Sequence, residues 1–175
     1  MAERFASSFQ SNLGAVIPVA CGLLGAVIAN IPLSLISGAI PSPMLALMPI
    51  YFWSLVRPDL MPVAAVFAIG LLQDLLSGGP PGIWTASFIA TYAFVSRQRE
   101  SFAGLAGIAA ILGFAFAMLI ASLVAFIIMA FYIGRLPPVT PLAVQLGVSA
   151  VFYIPVAAFF GWIHRRTVGP LRSDF

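Results

Sequence analysis

The sequence predicts an all-α integral membrane protein, a bundle of six transmembrane helices in a single domain over residues 1–175. Three observations predict it. Hydrophobic residues make up 62% of the chain and charged ones 7%, against roughly 45–50% and about 25% in soluble domains, and the mean hydropathy is +1.09. The apolar residues fall in long runs without strand-like alternation, and in hydrocarbon only helices or closed barrels satisfy the backbone. The arginines, finally, segregate to one side once six spans are drawn.

The first span covers 13–34, after a polar start, and supplies the roughly 20 residues that a spanning helix needs. Three shorter runs follow at 42–56, 61–77 and 81–96, separated by Arg57-Pro58-Asp59 and by Ser77-Gly78-Gly79-Pro80-Pro81-Gly82. At 1.5 Å per residue each reaches only about 22–27 Å. Pro43, Pro62 and Pro81 stand at the start of these runs, where a fixed φ and a missing N–H do no harm. The fifth run, 102–133, would measure about 48 Å as one helix, so it must tilt or protrude from a core of about 30 Å. The breaker Gly134-Arg135-Leu136-Pro137-Pro138 precedes the sixth span, 141–163, and an arginine-bearing tail follows. Pro49 and Pro155 lie inside spans and predict kinks there.

Six spans put the N-terminus, the Arg57 loop, the Arg97 loop and the C-terminal tail on one side. The arginines then divide seven to one: Arg4, Arg57, Arg97, Arg99, Arg165, Arg166 and Arg172 against Arg135 alone. The positive-inside rule makes the first side cytoplasmic, so both termini are expected in the cytoplasm. Trp53 and Trp162 then fall near the cytoplasmic surface and Trp84 near the outer one. There they read as an aromatic belt, with Arg97, Arg99, Arg165 and Arg166 as further interface anchors, or else as apolar filler.

The isoelectric point near 9.6 does not indicate a nucleic-acid partner, because the basic residues are scattered in ones and twos and form no basic face. One cysteine, Cys21, excludes an internal disulfide. The stretch Pro18-Val19-Ala20-Cys21 is faintly like a lipoprotein cleavage box, but the apolar run continues past it and the run before it is too short, so Cys21 reads as a buried thiol. His164 sits beside Arg165 and Arg166, as a headgroup-facing residue would. No Ser/His/Asp set, Cys/His metal spacing or phosphate loop is present. The expectation is therefore a protein with no catalytic residues, no metal and no cofactor.

One ionisable residue falls inside the spans. Asp74, in Gly70-Leu71-Leu72-Gln73-Asp74-Leu75-Leu76-Ser77-Gly78, lies one turn from the outer loop. A charged Asp at a helix centre costs roughly 2.5–3.5 kcal/mol on insertion scales. It reads either as structural, bonded to backbone or to the hydroxyls of Ser77 and Thr85, or, with Gln73, as a hook for a partner's membrane segment or stem; a proton or substrate site is the third reading. The fifth span carries Ala109, Gly113, Ala117, Ala121 and Ala125 at four-residue spacing. Small residues in this register let another helix approach closely, whether that helix belongs to this bundle or to a partner. Gly25 and Ala29 form a shorter version.

Residues 41–95 resemble the rod shape-determining protein MreD family, through Pro43, Ile50-Tyr51-Phe52-Trp53 with Pro58, the segment 70–78 with Asp74, and Gly82. Phe52 between Tyr51 and Trp53, and the stiff turn Gly79-Pro80-Pro81, depart from the family pattern. The resemblance implies a non-catalytic scaffold subunit of the bacterial cell-wall elongation (Rod) complex in the inner membrane. Its implied partners are an MreC-like bitopic protein, MreB filaments, a RodA-like glycosyltransferase with its class B penicillin-binding transpeptidase, and membrane lipids. It also implies a bundle similar to the substrate-binding subunit of energy-coupling-factor transporters, so a small-solute-binding subunit of a vitamin-type transporter stands as the alternative. A small membrane enzyme would need clustered acids or histidines, which the spans lack.

Overall fold

Proline and glycine positions delimit the helices of the computed structural model, which describes residues 2–31, 42–99 and 108–168, with side chains for 16–31, 42–99 and 110–166. Among the described residues six α-helices run in order: α1 Ala2–Ala29, α2 Leu47–Val56, α3 Val63–Ser77, α4 Ile83–Arg97, α5 Ile108–Ile133 and α6 Thr140–Ile163. A short 3₁₀ turn, Pro58–Leu60, links α2 to α3, and a π-helical turn, His164–Val168, extends α6. Pro62 in extended conformation caps the start of α3, and Gly78 in the left-handed region ends it, as a residue without Cβ does at little cost.

α2 is the hub. It packs against α1, α4, α5 and α6, and none of its ten residues is exposed. Tyr51 on α2 sits edge-on to Phe114 of α5 and Tyr153 of α6, at 5.5 and 5.8 Å, and those two rings stack at 4.0 Å. One turn further on, Phe52 and Trp53 meet Phe160. Around this hub α3 packs on α1 and α4, and α4 on α5.

The outer faces are apolar. Val63, Phe67, Leu71 and Leu75 line the outside of α3, and Leu112, Phe116, Leu119, Leu123 and Ile127 that of α5. Exposed apolar stripes on this scale mark a surface meant for lipid or protein, not water. α5 and α6 are each long and apolar enough to cross a bilayer.

The helix directions alternate. The C-terminal ends of α1, α3 and α5 gather with the N-terminal ends of α2, α4 and α6 around two adjoining cavities at one end of the bundle. At the opposite end, Trp53 of α2 lies against His164 beyond α6, and Arg57 and Arg99 act on a common carboxylate, Asp59.

Three expectations need correction. The second run, 42–56, is helical only from Leu47, giving about 15 Å of helix; residues 42–46 are irregular. That stretch is tied down by its surroundings: Ser149 of α6 accepts the Met44 N–H at 2.9 Å, and the Ser42 carbonyl accepts from Gln145 at 3.0 Å. Because α2 starts at Leu47, Pro49 falls in its first turn, where its missing N–H leaves nothing unpaired; among the described residues Pro155, in α6, and Pro18, in α1, lie inside helices. Trp53, expected as an interface anchor, is 0% exposed. It is a core residue because α2 is enclosed on all sides.

Candidate functional site

Asp74 is 3% exposed, and its carboxylate is fully engaged. Oδ2 accepts the N–H of Gly82 at 3.0 Å, the N–H of Thr85 at 3.1 Å and the Thr85 hydroxyl at 2.6 Å, while Oδ1 accepts the Trp84 N–H at 2.8 Å. These donors belong to the first turn of α4, whose N-cap residue, Gly82, has no side chain to cap with. The first N–H groups of a helix have no partner inside it, and its N-terminus carries partial positive charge. Asp74 of α3 thus caps α4 from outside, and the helix end balances the carboxylate without a cationic side chain. Gly82 is at φ 97°, a conformation that favours glycine and turns its N–H towards Asp74. Ser77 donates at 3.1 Å to the main-chain carbonyl of Asp74, not to its carboxylate.

Gln73, beside Asp74, is 9% exposed, and its Oε1 is buried without a hydrogen-bond partner. Its side chain lines a cavity of about 170 Å³ shared with Asn30, Ser42, Ser77, Trp84 and Gln145. Asn30 donates to the Ala26 carbonyl and Gln145 to that of Ser42, so one N–H of each amide is engaged. The rest of the wall is apolar, with Pro43, Met44, Leu45 and Phe88, so a few uncharged polar groups, several of them acceptors, stand in an apolar lining. A group offering N–H or O–H donors fits it, since a buried polar atom left unpaired costs about 1–3 kcal/mol.

Sequence reasoning singled out Gln73 and Asp74 but missed Asn30, Ser42 and Gln145. Gln145 carried a signal, being an amide one turn into an apolar span; Asn30 and Ser42 are polar residues at run ends and carried none.

The small-residue stripe lies inside the bundle. Gly113, Ala117, Ala121 and Ala125 are all buried, and α5 packs on α4, α6 and α2; the Ala109 side chain lies outside the described residues. The remaining anchors sit at the ends. Trp162 is exposed, with the Arg166 guanidinium 4.9 Å from its ring centroid. Trp84 is half-buried between the two cavities. Arg97 and Arg165 are exposed and Arg99 is half-buried.

Three other buried hydroxyls bond within their own helices, Ser54 to Ile50, Ser87 to Ile83 and Thr91 to Ser87, a pattern that satisfies the group locally, whereas the Ser122 hydroxyl is buried without a partner. Among the described residues no group of three His, Cys, Asp or Glu is placed to hold a metal ion. In the α2–α3 loop Arg57 grips Asp59 through Nε at 3.0 Å and Nη2 at 2.8 Å. That hydrogen bonding holds the Asp59 carboxyl below the usual carboxylate range.

Comparison with curated proteins and with solved structures finds no match. The family model for rod shape-determining protein MreD matches residues 10–163, nearly the whole chain. The chain therefore belongs to the MreD family, membrane proteins with a role in rod shape and cell-wall elongation.

Proposed function

We propose that this protein is a non-catalytic scaffold of the bacterial cell-wall elongation complex. It crosses the inner membrane six times with both termini in the cytoplasm, binds an MreC-like bitopic protein, and with it links MreB filaments to the peptidoglycan synthases. The alternating helix directions and the grouping of Arg57, Arg99, Arg165 and His164 away from the Asp74 end support this topology under the positive-inside rule. The occupied carboxylate of Asp74 favours a structural role for that residue over proton or substrate chemistry.

The observation that carries the partner reading is the cavity beside Gln73, which opens at the outer end of the bundle under this topology. Its unpaired amide oxygen and neighbouring acceptors suit the main-chain N–H groups of a partner's membrane-proximal segment. At about 170 Å³ this cavity falls below the roughly 300–1,000 Å³ typical of small-molecule sites, which favours a partner's segment over a small solute as the group that meets Gln73. Affinity purification in mild detergent tests it. Wild-type protein should recover a single-span periplasmic partner, and Gln73→Leu should lose most of it while melting at the wild-type temperature. Full recovery with Gln73→Leu would refute the cavity as the docking point.

A further inference from the structure

The second cavity has different chemistry. It encloses about 390 Å³ between the α3–α4 turn, the C-terminal part of α5 and the start of α6, with Pro80, Ile83, Phe126, Met129, Pro138 and Leu142 among its walls. Among the described residues no charged side chain lines it. The loop 134–139, which supplies Pro137 and Pro138 to this wall, also carries Arg135, the one arginine on the outer side in the topology proposed above. Arg135 is exposed and makes no hydrogen bond or ion pair with the described residues. It is flanked by Phe131, Tyr132 and Leu136, at 86%, 70% and 78% exposure.

We propose that this cavity holds an acyl chain of a phospholipid whose phosphate pairs with Arg135. α5 measures about 39 Å, longer than a hydrocarbon core of about 30 Å, so its C-terminal end reaches the headgroup level, where phosphates lie. Aromatic side chains such as Phe131 and Tyr132 suit that level. A guanidinium pairs well with phosphate oxygens, and the apolar cavity beside it accepts a hydrocarbon chain. A phospholipid supplies both groups in one molecule. The proposal rests on the membrane topology proposed above but not on partner binding, so it is tested on the protein alone.

The test is native mass spectrometry of the full chain released from vesicles of equal parts phosphatidylglycerol and phosphatidylcholine. Wild-type protein should retain phosphatidylglycerol with a several-fold preference that added inorganic phosphate does not abolish. Arg135→Gln, at an exposed position, should bring the two lipids to parity. Leu142→Trp, which fills the cavity, should lose both, with thermal unfolding checked to show that it folds. Equal retention by wild type and both folded variants would overturn the proposal. So would displacement by inorganic phosphate, which assigns Arg135 to a free anion, or retention that appears only with a co-purified protein partner.

Discussion

Thr85 meets the Asp74 carboxylate twice, through its hydroxyl at 2.6 Å and its main-chain N–H at 3.1 Å, both on Oδ2. One side chain on α3 thereby fixes the position and the first turn of α4. N-capping is ordinarily done by the residue before the helix. Here Gly82 holds that place, and the acceptor comes from the neighbouring helix, so a capping interaction also sets tertiary structure. The acid of the 70–78 segment, buried on its face, is stabilised by the donors at the end of its own hairpin.

Removing that acceptor should be costly. Asp74→Ala leaves three N–H groups and a hydroxyl without their partner, at about 1–3 kcal/mol for each buried donor left unpaired, and relaxation should limit the total to roughly 3–5 kcal/mol. Asp74→Asn keeps an acceptor but loses the charge, and should lose about half as much. Thr85→Val removes one bond, for about 1 kcal/mol. Thermal unfolding in detergent should rank the variants in that order. An Asp74→Ala protein melting with the wild type would refute the cap.

The close approach of α3 and α4 that makes the cap possible depends on Gly70. A Cβ there would lie 2.6 Å from the Thr85 Cα and 3.1 Å from its nitrogen, both backbone atoms that cannot turn aside. Gly70→Ala should part the helices and destabilise the protein by about 1–3 kcal/mol. Combined with Asp74→Ala it should be less than additive, because both changes break the same contact. Gly147, where a Cβ meets nothing within 4 Å, is the control: Gly147→Ala in the middle of α6 should be neutral or stabilising by up to about 1 kcal/mol. Additive losses at Gly70 and Asp74 would mean that the two residues act separately.

Much of this was legible in the sequence. The helix order followed from the apolar runs and their breakers, and Asp74 stood out as the only acid inside them. The partners of Asp74 were not legible, because three of its four donors are main-chain N–H groups, which every residue but proline offers. The burial of Trp53 and the shortness of α2 were hidden for a related reason. In a soluble helix the polar face marks the outside; in this chain the outside is as apolar as the core, so hydropathy cannot separate Trp53, fully buried, from Trp162, largely exposed. Packing in lipid depends on fit rather than on apolar character. The residues that revealed a seam were small ones: the stripe of α5 and, in α1, Gly25, where a Cβ would lie 2.7 Å from the Leu45 carbonyl oxygen.

The α5 stripe gives a third prediction. Ala121 is 0% exposed and Leu123, two residues on, is 59% exposed. Ala121→Leu forces about three more heavy atoms into a filled interface and should cost about 1–3 kcal/mol, with partner recovery falling only as far as the folded fraction falls. Leu123→Ala, on the outer face, should stay within about 0.5 kcal/mol of wild type. Melting curves and partner pull-down on the same preparations separate the cases. A folded Ala121→Leu protein that had lost its partner would show that a partner's helix, and not the bundle, uses the stripe.

The Arg57–Asp59 pair in the α2–α3 loop gives a prediction in pH. The Arg57 guanidinium, bonded to Asp59 and positively charged, lowers the Asp59 pKa in the folded protein, whereas an unfolded Asp titrates near 3.9. A depressed folded pKa means that the unfolded chain takes up the proton first as pH falls. The stabilisation is then fully present above about pH 4 and disappears as pH drops through the folded value. Asp59 is 46% exposed at the side chain, so solvent screens the pair and the effect is small. The melting temperature of wild type should exceed that of Asp59→Asn by a constant small margin from neutral pH down to about pH 5. That margin should narrow below about pH 4, and should also shrink at neutral pH when salt is raised. A margin independent of both pH and salt would mean that Asp59 acts through the shape of the loop and not through its charge.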